Sequence, residues 1–134
     1  MSVRKNVITA GILALLCGVA LPSGTARAQT ARTGNVMREK LGHAQKLLEA
    51  LTTSNRDLLV HESAEMVRIS KSPQWAELKT RELAIYTDNF LKSVAALDAA
   101  AQRNDFDTAA SQYTAMTTAC YQCHRRLKDL RIAK

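Results

Sequence analysis

Five residues near the end of the chain constrain it more than any other feature: Cys120, Tyr121, Gln122, Cys123 and His124. On a helix, residues three and four positions apart share one face, so both thiols and the imidazole would point to the same side. This Cys-x-x-Cys-His spacing is typical of the attachment site of a c-type haem. The thiols would form thioethers with the haem vinyl groups, and His124 would offer a ring nitrogen to the iron. The motif therefore predicts one covalent haem c held by Cys120, Cys123 and His124.

Two other uses of a Cys-x-x-Cys pair fit the sequence less well. A closed zinc site needs four ligands, but the only other histidines, His43 and His61, lie far upstream, and no second cysteine pair accompanies them. A thioredoxin-like redox pair needs a strand-helix-strand context, and nothing around the motif reads as a strand. We therefore expect haem attachment rather than zinc binding or a disulfide.

The first 28 residues have the pattern of a cleaved signal peptide. A short basic start precedes an apolar run at residues 7–21, and the small residues Ala26 and Ala28 provide a cleavage site before Gln29. The apolar run is too short for a membrane anchor. The sequence thus predicts a leader at residues 1–28, a mature domain at residues 29–134, a periplasmic location and no membrane insertion after cleavage.

The charge of the mature chain is modest. Loss of the leader would remove three basic residues and no acidic one, which lowers the formal net charge from +7 to +4. That charge is too small and too mixed to indicate nucleic acid binding. The cations that follow the motif are Arg125, Arg126, Lys128, Arg131 and Lys134. They complement the helix dipole, and they would also form a basic rim that pairs haem propionates or attracts an acidic redox partner.

Apolar residues recur at three- and four-residue steps through the mature chain, which predicts an all-α fold. The stripes cover residues 37–51, 59–69, 83–101 and 106–127. Their ends coincide with helix-breaking signals. Ser54 or Asn55 could cap the second helix, Pro73 would break the chain after it, and Asn104-Asp105 would precede the last helix. Four amphipathic segments with mostly short connections predict an antiparallel four-helix bundle, a fold that binds cofactors between facing helices.

The Cys-x-x-Cys-His motif lies on the last predicted helix, and only ten residues follow His124. Any sixth iron ligand is therefore expected from upstream. In these features the chain resembles class II c-type cytochromes, the cytochrome c′ and cytochrome c-556 family, over essentially all of residues 29–134. Three further segments carry the resemblance: residues 37–41, 72–75 and 104–107. The resemblance implies a four-helix bundle with haem attached covalently to the last helix. Members of this family often pair through their first two helices, which makes a homodimer possible here.

The resemblance also implies that a first-helix residue covers the distal haem face. That residue is either a methionine that binds the iron or an apolar residue that leaves the sixth position open. Met37 matches the position best, because it begins the first apolar stripe and precedes Trp75 by roughly the family's separation. Met37 therefore joins His124 as a predicted iron ligand. The alternative is that Met37 is an ordinary core methionine.

The remaining candidate ligands are weaker. Met116 lies on the helix of His124, and one straight helix cannot supply ligands to both faces of a haem. Met66 is expected to pack in the core, and His43 and His61 are expected in solvent-facing or rim positions rather than as iron ligands. The aromatic residues expected in the core, where they could also line the haem pocket, are Tyr86, Phe90, Phe106 and Tyr113.

These expectations favour one function over two others. An iron held by His124 and Met37 has a raised reduction potential and a geometry that changes little on electron transfer. The sequence therefore predicts a periplasmic one-electron carrier that is not an enzyme. The alternative is a five-coordinate protein that binds NO or CO, with Met37 only shielding the distal face. A peroxidase is less well supported, because the sequence shows no distal His and Arg constellation for that chemistry.

Overall fold

The structure is a computed structural model that describes residues 23–77 and 80–132, and every regular element in these ranges is a helix. The helices are α1 at Ser23–Thr52, α2 at Arg56–Ser70, α3 at Pro73–Ala76, α4 at Ala84–Gln102 and α5 at Phe106–Ile132. The prediction of an all-α fold is confirmed for this part of the chain. Residues 1–22 of the predicted leader lie outside the described residues, and residues 23–28 begin α1, so the signal peptide stays a prediction.

The turns after α1 and after α4 have the same backbone design. Ser54 and Asn104 have φ angles of 52° and 58°, in the left-handed region that commonly ends a helix. The next amides, from Asn55 and Asp105, donate to carbonyl oxygens five residues back at 2.9 and 3.0 Å. These bonds satisfy carbonyl groups that a helix end otherwise leaves unpaired.

The same two residues also begin the following helices. Asn55 Oδ1 accepts the N–H of Leu58 at 3.1 Å, and Asp105 Oδ1 accepts the N–H of Thr108 at 3.0 Å. The bond from Thr108 holds the pKa of the Asp105 carboxyl below its usual value. Asn55 is therefore the helix cap that the sequence predicted, whereas Ser54 takes the left-handed position before it.

The predicted break at Pro73 is confirmed, and it has a structure of its own. Pro73 occupies the start of α3, where its missing N–H costs nothing. The hydroxyl of Ser72 accepts the N–H of Trp75 at 3.2 Å and caps this short helix. The turn delivers Trp75 into the interior, where it is 3% exposed.

The helices pack around one hydrophobic core with an uneven pattern of contacts. α5 packs mainly on α4, α2 packs on both α1 and α4, and α1 makes few contacts with α5. The fully buried apolar side chains include Leu47, Leu59, Met66, Leu97 and Met116. Among residues 23–77 and 80–132, no helix combines the length and the apolar character that a membrane crossing requires.

Candidate cofactor-binding cavity

An apolar cavity of about 440 Å³ lies beside the last helix, and residues from all five helices line it. Its volume falls within the range of pockets that hold small molecules and cofactors. The cavity borders α1 and α5, which make few contacts with each other, so side chains do not fill the space there. The fold therefore provides a ligand-sized space next to the Cys-x-x-Cys-His motif.

All four residues that the sequence singled out line this one cavity. Cys120, Cys123 and His124 reach it from α5, and Met37 reaches it from α1. Met37 and both cysteines are half-buried, whereas His124 is exposed. Two thiols, an imidazole and a thioether thus border the same apolar space. This donor set fits a haem that two thioether bonds would attach and whose iron an imidazole and a thioether would bind.

The two cysteines are free thiols and do not form a disulfide. Burial raises the pKa of both thiols, and the positive charge of Lys40 acts in the opposite direction. Because burial dominates, both sulfurs are held as neutral thiols near neutral pH. Among the described residues, no group of three or more His, Cys, Asp or Glu side chains could hold a metal ion by itself.

The aromatic residues divide between the cavity wall and the rest of the core. Tyr86, Phe90 and Tyr113 line the cavity, which is one of the two positions that the sequence allowed for them. Phe106 packs against the core away from the cavity. Trp75 also lines the cavity, with its ring centroid 4.8 Å from that of Phe90.

The indole nitrogen of Trp75 is the one buried side-chain polar atom in the described part of the chain that has no hydrogen-bond partner. A buried donor without an acceptor is costly, and native structures seldom leave one unexplained. A group that entered the cavity and carried an acceptor could satisfy it. The unpaired indole N–H is a second feature, besides the donor set, that fits a bound cofactor.

The other methionines occupy the places that the sequence predicted. Met66 is 1% exposed and belongs to the hydrophobic core, and Met116 is fully buried on the helix that carries His124. Both also line the cavity. They provide part of the apolar wall, and Met37 is the half-buried methionine among the residues that line the cavity.

The two upstream histidines differ from each other. His61 is exposed, as predicted. His43 is half-buried, and its Nδ1 lies 2.5 Å from Oε2 of the buried Glu62. Lys46 Nζ lies 3.4 Å from the other carboxylate oxygen. Burial raises the pKa of Glu62, but the bonds from His43 and Lys46 outweigh it and leave that pKa below its usual value. This network links α1 to α2 and does not border the cavity.

Among the lining residues that the sequence did not indicate, Lys40 stands out for its buried charge. Lys40 is only 8% exposed. Its ammonium nitrogen lies 3.9 Å from the ring centroid of Trp75 and 3.6 Å from that of Phe90. Burial lowers the pKa of Lys40 to about 8, against a smaller opposing influence of the two thiols. The signal was present in the spacing, since Lys40 follows Met37 by three residues and so shares its helix face.

Comparison with known protein families, with curated proteins and with solved structures finds no match to this chain. The case for a function therefore depends on the motif, the cavity and the residues that line it.

Proposed function

We propose that this chain is a periplasmic monohaem c-type cytochrome that carries one electron and is similar to the class II cytochromes. The observation that carries the proposal is that Cys120, Cys123, His124 and Met37 line the same apolar cavity. A chance Cys-x-x-Cys-His sequence on a surface helix would have no reason to border a ligand-sized space. The protein is proposed to be an electron carrier and not an enzyme.

The chain's own residues have distinct proposed roles at this site. Cys120 and Cys123 would hold the haem through thioether bonds, and His124 would supply a ring nitrogen to the iron. Met37 would supply a thioether sulfur from α1. The haem, when bound, supplies an iron that alternates between the ferric and ferrous states. The apolar wall would keep water away from the iron in both states.

The helix arrangement proposed for this cytochrome is an antiparallel four-helix bundle with short α3 as an insertion. Two features support it. The turns at residues 53–55 and 103–105 are three residues long, and short connections join antiparallel neighbours in bundles. The pairs that these turns connect, α1 with α2 and α4 with α5, also make extensive contacts. A haem on α5 would then lie between facing helices.

A proposed redox partner would approach the same end of α5. Arg125, Arg126, Lys128 and Arg131 follow His124 and are exposed. An acidic protein surface would be attracted to these cations and guided toward the cavity. Homodimer formation stays a prediction, and the exposed Leu41 and Leu48 on α1 are the apolar side chains that such pairing would cover first.

Optical spectroscopy of the haem-loaded protein tests the proposal. The substitution Met37→Leu removes the thioether sulfur at nearly constant volume, and Met116→Leu makes the same change elsewhere in the cavity wall. We expect a low-spin ferric spectrum and no CO response in the wild type and in Met116→Leu. Met37→Leu should lose the low-spin spectrum and bind CO.

The opposite pattern identifies the alternative function. A high-spin wild type that binds CO, with an unchanged coordination state in Met37→Leu, would contradict electron transfer through a His/Met site. That result would make the protein a five-coordinate binder of NO or CO, with Met37 as a shield of the distal face.

A further inference from the structure

Lys40 is the one lysine that is buried in the described part of the chain. Lysine is seldom buried unless its charge is paired, because moving an ammonium out of water is costly. Lys40 lines the cavity one helical turn after Met37. Its charge is therefore placed beside the proposed distal side of the site, and its burial needs an explanation.

The surroundings of Lys40 do not neutralise it. No carboxylate of the described residues lies within ion-pair distance of its Nζ. The ammonium instead faces two aromatic rings, with the centroids of Trp75 and Phe90 at 3.9 and 3.6 Å. Aromatic faces attract a cation through their quadrupole, but they carry no net charge. The cavity wall thus keeps a full positive charge.

Glu62 shows how this protein treats its other buried charged side chain. The carboxylate is 1% exposed, and its oxygens lie 2.5 Å from a ring nitrogen of His43 and 3.4 Å from the ammonium nitrogen of Lys46. The contrast with Lys40 is therefore specific. At Glu62 the charge is cancelled locally, whereas at Lys40 the charge is held by apolar and aromatic groups and is left free to act on a neighbour in the cavity.

A positive charge beside a haem acts on the two oxidation states differently. The ferric site carries one more positive charge than the ferrous site, so a nearby ammonium repels the ferric state more strongly. In an apolar cavity this effect is weakly screened and extends over several ångströms. The charge favours the ferrous state, and the reduction potential rises.

On the basis of the proposed function, we propose that Lys40 tunes the haem through its charge. Its ammonium raises the reduction potential of a haem bound in this cavity. Lys40 does not need to touch the iron for this role, because a charge acts at a distance. Trp75 and Phe90 hold the ammonium in place. Lys40 would act on the haem through its charge, whereas Met37 would bind the iron through its sulfur.

The reduction potential of the haem-loaded protein at pH 7 tests this inference. Lys40→Met removes the charge and keeps an unbranched apolar side chain of similar length. We expect the equilibrium constant for reduction to fall about tenfold, which is a drop of about 59 mV for a one-electron couple. The control is Lys92→Met, which removes the same charge from an exposed position on α4 outside the cavity wall. The control should leave the potential nearly unchanged.

Two further variants separate charge from packing. Lys40→Arg retains the charge and should keep a potential close to that of the wild type. Lys40→Gln removes the charge with a polar side chain and should lower the potential as Lys40→Met does. If Lys40→Met fails to load haem, the reduction potential of Lys40→Gln still tests the inference. The optical spectrum should not change in any of the four variants.

The outcomes distinguish this inference from the proposed function. If the wild type takes up no covalent haem, the proposed function fails. If haem is attached and the potential is the same in wild type, Lys40→Met and Lys40→Gln, the function stands and the role of Lys40 is wrong. A change in the low-spin spectrum that Lys40→Gln and Lys40→Met share would also overturn the inference, because it would indicate that the amine itself binds the iron.

Discussion

Two parts of the same helices are built in opposite ways. Next to the turns at residues 53–55 and 103–105, Ala50, Leu59, Ala100 and Ala109 are all fully buried. Farther along the same helices, the side chains do not fill the space between the helices, and a cavity of about 440 Å³ remains. We refer to the first part as the turn core and to the second as the cavity wall. Small residues let the helices approach closely in the turn core, and the cavity wall keeps them apart.

The difference extends from packing to chemistry. The turn core contains apolar residues whose neighbours fill the space around them. The cavity wall contains two free thiols, a buried lysine without a carboxylate partner and an indole N–H without an acceptor. Each of these groups is unfavourable or unused when the cavity has no occupant. Their accumulation in one region, and not in the turn core, supports the proposal that a cofactor binds in this cavity.

The largest expected effect is a truncation in the turn core. Leu59→Ala should lower the free energy of unfolding by about 2–5 kcal/mol, because it leaves a void among tightly packed neighbours. Denaturant unfolding of the haem-free chain measures this change. The control is Leu41→Ala at the cavity wall, where the side chain is 58% exposed and truncation should cost less than about 1 kcal/mol. Equal costs at the two sites would contradict the contrast between the regions.

An intermediate effect is expected at Lys40 in the haem-free chain. Burial lowers the pKa of Lys40 to about 8 from 10.5, so between these values the unfolded chain binds more protons than the folded chain. The stability of the wild type relative to Lys40→Met should therefore rise as the pH increases through this window. Below pH 8 the variant should be more stable, by at most about 3 kcal/mol, and the difference should shrink toward pH 10.

Urea unfolding of both proteins from pH 6 to pH 10 measures this dependence. The thiols of Cys120 and Cys123 titrate in both proteins, so the difference between the two curves isolates Lys40 to a first approximation. A difference that does not vary with pH would show that the pKa of Lys40 is the same in the folded and unfolded chains, which would contradict its burial.

The smallest expected effects are at the two helix caps. Asn55→Ala removes the acceptor for the N–H of Leu58 and should lower the free energy of unfolding by about 1 kcal/mol. Ser72→Ala removes the cap of α3 at the cavity wall, where it should cost less global stability but disturb Trp75. Trp75 is the single tryptophan of the chain, so its fluorescence reports that change directly. An unchanged emission spectrum in Ser72→Ala would contradict a local role for this cap.

The helix boundaries could be predicted because their causes are local. Asn55 caps α2 through its own side chain, and Pro73 cannot continue a helix that began before it. The additional helix α3 was missed, since a proline read as a break can equally begin a short helix. The start of α1 before Met37 was also missed, because the apolar stripe does not extend that far.

The cavity wall could be predicted in part, from the motif, from the family resemblance for Met37 and from the aromatic stripe. The spacing of Cys120, Cys123 and His124 fixes their common face within one helix. The burial of Lys40 depends instead on α3 delivering Trp75 and on α4 delivering Phe90 to the same place. These are contacts between distant parts of the chain, and the usual expectation for a lysine is a solvated side chain. The pairing of His43 with Glu62 across α1 and α2 was hidden for the same reason.

The most direct test of the central claim is the intact mass of the chain after export in a cell that attaches haem to c-type cytochromes. The account predicts a mass increase of one haem that survives denaturation, and no increase when Cys120 and Cys123 are both replaced by serine. A wild-type chain that carries no haem under conditions in which other c-type cytochromes mature would contradict the account.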